Sequence, residues 1–175
     1  MNKISRTTHS CTIDDLDAGL RAKMRAHISQ YGLGAIESDV LFCCETISVR
    51  QKRSPFGTKT ETTVSAAYVT PKWLLWADST DRNDAGVGSA QLARIDVHNY
   101  ETTAMYAIAP DHGINVTGRY TDKNKTGMTF IVLGPDSDGQ SFRKILEEAM
   151  RKVISSSTYS PLLIDDLTNP VRFVK

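Results

Sequence analysis

What this sequence lacks narrows its possibilities first. Among 175 residues, Lys and Arg number 21 and Asp and Glu 20, so neither sign of charge dominates. A surface built to neutralise nucleic-acid phosphates needs a cationic excess, and this balance predicts no nucleic-acid partner. Long apolar runs are missing too. The opening Met1-Asn2-Lys3-Ile4-Ser5-Arg6 is polar and Asp14, Asp15 and Asp17 follow, unlike a secretory leader, and no segment resembles a transmembrane span. Cysteine is scarce: Cys11, Cys43 and Cys44 are an odd number, and the adjacent pair would point to opposite faces of a strand. Reduced, buried thiols in a cytoplasmic chain are the expectation. The sequon Asn115-Val116-Thr117 carries no weight without export.

Chemical motifs are equally sparse. Asp78, Asp81, Asn83 and Asp84 before Gly86 suggest a calcium loop, yet counting from Asp81 puts Leu92 where a bidentate acid is required. A solvated turn explains them better. Cys43 and Cys44 with His98 or His112 lack the paired spacing of a zinc site. His9, His27, His98 and His112 are framed by no nucleophile elbow, and no glycine-rich phosphate loop is present. The sequence therefore predicts no enzyme, no metal and no cofactor, and a binding or assembly role.

What is there reads as one domain. Hydrophobic residues make up 40% and charged residues 23%, an ordinary globular balance. Leu16, Leu20, Met24, Ile28 and Tyr31 form an apolar stripe at helical spacing over residues 12–31. Thr12 and Asp15 resemble a capping box, and Gly32 and Gly34 mark the end. From Val40 the texture turns to β-branched and alternating residues. Strands are predicted over 40–52, 58–70, 73–77, 91–100, 114–120 and 126–133, with 102–112 open between a strand and a helical turn. Trp73, Leu75 and Ala77 alternate with Lys72, Leu74 and Trp76, so both faces of that strand carry bulk. Ala93, Ile95 and Val97 are expected on one face, and Gly118 suits a bulge. Phe142, Ile145, Leu146, Ala149, Met150, Val153 and Ile154 define the clearest element, an amphipathic helix over about 141–154 capped by Ser137 or Asp138. Ser155-Ser156-Ser157-Thr158 reads as a linker, and 161–175 as a tail with Leu162, Leu163 and Ile164 free to dock.

Laid out in order, these elements give a mainly β, α+β chain: a seven-stranded antiparallel barrel or sandwich plugged by the C-terminal amphipathic helix, with an extra N-terminal helix. The run Ala66-Ala67-Tyr68-Val69-Thr70-Pro71-Lys72-Trp73-Leu74-Leu75-Trp76 looks like a tight hairpin. Leu92-Ala93-Arg94-Ile95-Asp96-Val97 reads as the fourth strand, and Phe142-Arg143-Lys144-Ile145-Leu146 opens the last helix. On these carriers, residues 40–154 resemble the pleckstrin-homology-like (PH-like) superfold, in particular bacterial PH-like and GRAM-like domains. The expected division is an N-terminal extension with a helix at 1–36, a PH-like domain at 37–155 and a tail at 156–175.

The resemblance implies a candidate site at the first hairpin, where Arg50, Lys52, Arg53 and Lys59 surround Ser54-Pro55-Phe56-Gly57. Converging cations there would replace the hydration of a phosphate or an anionic lipid headgroup, with Phe56 dipping into the membrane surface. The simpler explanation is a solvated hairpin with ordinary charges. The tail segment Pro161-Leu162-Leu163-Ile164-Asp165-Asp166-Leu167 suggests a protein contact within the chain or in a homo-oligomer. The leading expectation is a protein-binding or self-associating module; the others are an anionic-lipid binder and an enzyme in the barrel mouth.

Overall fold

The computed structural model describes residues 3–54, 57–79, 86–121 and 126–157. It is mainly β. One open antiparallel sheet holds seven strands in sequence order: β1 (Lys3–Ser10), β2 (Phe42–Ser54), β3 (Gly57–Val69), β4 (Trp73–Asp78), β5 (Val87–Asn99), β6 (Gly113–Tyr120) and β7 (Thr126–Val132). Among the described residues two α-helices accompany it, α1 (Ala18–Gln30) between β1 and β2, and α2 (Ser137–Ser157) after β7. No helix among the described residues is long and apolar enough to cross a membrane.

The number of strands matches the expectation, but one strand is different. Residues 102–112 form no strand: 3-10 turns at Tyr100–Thr102 and Ala104–Ala107 carry the chain from β5 to β6. The seventh strand is β1, paired with β2 from Lys3 opposite Gln51 to Ser10 opposite Cys44. Apart from the half-buried Ile4 its inward positions are polar, so alternation of apolar and polar residues could not reveal it. Arg6 and Thr8 turn inward, and each finds a partner. Arg6 grips the Asp111 carboxylate with Nε at 2.5 Å and Nη2 at 2.6 Å and donates from Nη1 to Ser48 Oγ at 2.7 Å. Thr8 Oγ1 meets Thr46 Oγ1 at 2.9 Å and accepts from the Gly134 amide at 2.7 Å. These bonds satisfy groups that would otherwise be costly to bury.

The helix predicted over 12–31 starts later. Asp15 accepts from the Thr12 amide and hydroxyl, but that pairing caps a 3-10 turn at Ile13–Asp15. Asp17 is the N-cap of α1, its Oδ1 accepting from the amides of Gly19 at 2.9 Å and Leu20 at 3.1 Å. Gly32, at φ 61°, ends the helix and lets the Leu33 amide reach the Ile28 carbonyl.

The two helices cover opposite faces of the sheet. Leu16, Leu20 and Met24 pack with Cys43, Ala66, Tyr68, Leu75 and Ala77. Phe142, Leu146 and Ala149 pack with Cys44, Ala67, Val69, Leu74, Ala90, Leu92 and Ile95. Neighbouring residues of one strand thus enter different cores, which is why the centre of the sequence is apolar at both parities.

Three expectations need correction. In β5, pairing with β6 shifts between Ala90 and Ile95; Leu92 and Ile95 are buried while Ala93 faces out, so Ala93 does not share the face of Ile95. Gly118, at φ 155°, admits the displaced backbone: a Cβ there would strike the Arg94 carbonyl. Second, α2 runs through Ser157, with Ser155 Oγ and Ser156 Oγ donating to the Arg151 and Val153 carbonyls of its last turns; Ile154 is 62% exposed and leaves the buried stripe. Third, the first turn of α2 is held by Asp136, whose Oδ1 accepts from the Gly139 amide at 2.9 Å, in the place expected of Ser137 or Asp138.

The edges β1 and β7 share no ladder. Acids at the start of α2 hold the free edge of β1 instead. Asp136 Oδ2 accepts from the Thr8 amide and Asp138 Oδ2 from the Ser10 amide, both at 2.7 Å. Asp111→Ala should strand the Arg6 guanidinium, only 7% exposed, and cost about 2–3 kcal/mol, less than a fully buried pair because Asp111 is partly solvated. Urea unfolding checks this, with Asp14→Ala in the exposed 3-10 turn before α1 as a near-neutral control.

Candidate functional site

The tight connection between β3 and β4 builds one wall of a groove. Thr70, 2% exposed, accepts at Oγ1 from the amides of Lys72 at 3.3 Å and Trp73 at 2.9 Å, while its own amide donates to the Trp73 carbonyl. This fixes Pro71 and Lys72 in a two-residue turn. The Leu92 amide then donates to the Lys72 carbonyl at 2.9 Å, holding β5 beside the turn. Gln91 and Ala93 form the floor, and Lys152, Val153 and Ser156 of α2 form the second wall. The groove encloses about 530 Å³, and its apolar surface comes from Pro71, Trp73, Ala93 and Val153 between Lys72 and Lys152.

The first hairpin joins β2 to β3. Register sets Arg50 opposite Glu61, Lys52 opposite Lys59 and Arg53 opposite Thr58. Lys52 and Lys59 are therefore brought together, Arg50 faces an acid across the ladder, and Arg53 has no cation opposite. Arg50 and Lys59 are exposed. Pro55 and Phe56 lie outside the described residues, as do Asp81, Asn83 and Asp84 of the calcium-loop comparison and the tail from residue 158 onward.

Inside the curve of the sheet, a cavity lined by Thr46, Ser65, Ala67, Trp76, Asp78 and residues 129–132 of β7 has about 80 Å³. That is room for a few waters, well below the roughly 300 Å³ at which small-molecule sites begin. The Trp76 ring lies edge-on to Tyr120 at 5.2 Å, and a side chain at Gly88 would overlap it. Phe142 of α2 is fully buried against the sheet, edge-on to Phe42 at 6.1 Å.

One charged cluster escaped the sequence reading because its members come from three places in the chain. Glu101 Oε1 accepts from Arg143 Nη2 at 2.8 Å and lies 3.1 Å from His112 Nδ1. Burial by itself would raise the Glu101 carboxyl, but hydrogen bonds from its own backbone and His112, with the charges of Arg143 and His112, hold it below its usual 4.5. Arg143 stood in the helix run Phe142-Arg143-Lys144 and His112 was weighed only as a zinc ligand or catalytic base, while Glu101 gave no signal. A depressed carboxyl stabilises the fold above its ordinary pKa, and that contribution disappears as pH falls through the lower folded value. Glu101→Gln should therefore flatten the loss of stability below pH 4.5, read as urea midpoints between pH 6 and pH 3.

Comparison with family models, with curated proteins and with solved structures finds no match to this chain.

Proposed function

We propose that this chain is a non-enzymatic, PH-like binding module: a barrel-like sheet stoppered by α2 that recognises a short protein segment at its surface. The groove between the β3–β4 turn, β5 and the last turns of α2 carries this reading. It is open, of peptide-segment size, apolar at Pro71, Trp73, Ala93 and Val153 and flanked by Lys72 and Lys152. Such a lining favours an apolar segment with acidic side chains. The chain itself contains one, Pro161-Leu162-Leu163-Ile164-Asp165-Asp166, beginning four residues after α2 ends beside the groove. A copy offering that segment to its neighbour would self-associate. The 80 Å³ cavity within the sheet gives the alternative of a barrel-mouth enzyme little support.

A second reading, attraction to an anionic lipid headgroup or phosphate, draws on Lys52 standing opposite Lys59, an arrangement of like charges that an anion would relieve. Glu61 opposite Arg50 counts against it.

A fluorescent peptide of residues 158–175, titrated with the full chain, should gain anisotropy. Val153→Asp in the groove should weaken that binding by about tenfold or more, the scale of a central interface residue. Equal binding by the variant would reject the groove as the site. Salt-sensitive retention of the full chain on anionic but not neutral vesicles, lost in Lys59→Glu, is the outcome that would transfer the proposal to the hairpin.

A further inference from the structure

Cys11 and Cys43 are far apart in sequence and side by side in the fold. The β1–β2 register that ends with Ser10 opposite Cys44 continues one step further: the Cys11 amide donates to the Cys43 carbonyl at 3.1 Å. The two residues therefore face each other directly across the ladder. At such a hydrogen-bonded pair the Cα atoms stand about 5.5 Å apart, inside the roughly 4.4–6.8 Å that a disulfide spans. Both cysteines line one groove of about 500 Å³, bounded by Thr12, Ile13 and Asp14 on one side and by Val40, Leu41 and Phe42 on the other. Cys11 is half-buried and Cys43 is 5% exposed. Cys44 belongs to the other core, 1% exposed on the face that α2 covers.

We propose that Cys11 and Cys43 are a redox-modification site, a cross-strand dithiol that closes to an intramolecular disulfide when it meets a low-molecular-weight disulfide. The accessible partner reacts first. The Cys11 thiolate attacks one sulfur of the small disulfide, its S–S bond breaks, and one small thiol leaves. The Cys43 thiolate then attacks the Cys11 sulfur and expels the second small thiol. Two protein thiols are oxidised and one small disulfide is reduced to two thiols. Burial raises both thiols above the ordinary value, with the neighbouring Cys43 thiol offsetting part of that rise at Cys11, so the reaction accelerates as pH rises. The product ties β1 to β2 and encloses residues 12–42, including all of α1, in a covalent loop.

Incubating the full chain with oxidised glutathione at mildly alkaline pH, quenching with acid and measuring intact mass tests this. The expected product has lost two hydrogens, carries no glutathione, and after unfolding and alkylation shows the alkyl group on Cys44 alone. Cys44→Ala should form the same product. Cys43→Ser should stop at a stable glutathione adduct on Cys11, and Cys11→Ser should form neither. A wild-type product that retains glutathione, links through Cys44 or joins two chains would overturn the proposal. Should a serine variant fail to fold, the alkylation pattern of the wild-type product decides alone.

Discussion

The carboxylate of Asp136 ties the two halves of this fold together. One oxygen accepts from the Gly139 amide and starts α2; the other accepts from the Thr8 amide on the outer edge of β1. Its own carbonyl accepts from Gln140. The helix that covers one face of the sheet and the strand that opens the chain are thus fixed by a single side chain. Thr8 extends the connection inward, joining the Gly134 amide to Thr46. Position, and not only burial, is what these bonds provide: an apolar stripe can slide along a sheet, whereas two short hydrogen bonds from one carboxylate define where the helix begins.

How much of this was legible depended on where the apolar residues fell. The buried stripe of α2 repeats at helical spacing, and Phe142, Leu146 and Ala149 occupy the core as that spacing demands. The central strands were legible because Leu74 and Leu75, or Ala66 and Ala67, are apolar at both parities, each serving a different helix. The first strand was illegible for the converse reason. Its buried positions are Arg6 and Thr8, stabilised by Asp111 and Thr46, which are remote in sequence. The same limit applies to the groove: Trp73, Ala93 and Val153 come from three elements, and the irregularity that turns Ala93 outward is a property of β5–β6 pairing. Of the hairpin cations, residue spacing alone could group Arg50, Lys52, Arg53 and Lys59, but only register shows that Lys52 meets Lys59 while Arg50 meets Glu61.

The cores also constrain where recognition can occur. With α1 over one face and α2 over the other, the middle of the sheet offers little free surface, and the space left inside its curve is small. For the binding role proposed above, that leaves the rims, where turns and helix ends meet. The β3–β4 turn is well suited to such work. Thr70 fixes its backbone from within, so Lys72 and Trp73 are presented with little conformational freedom left to lose on binding.

Asp136 and Asp138 have an effect that reaches beyond the single molecule. A strand at the margin of a sheet ordinarily exposes a row of amides that can recruit a foreign β-strand, the first step toward fibrils. Here the outward amides of Thr8 and Ser10 are already engaged by those acids. An incoming chain would have to expel two carboxylates and detach the start of α2, so this margin is shielded from runaway polymerisation by the contacts that complete the native fold.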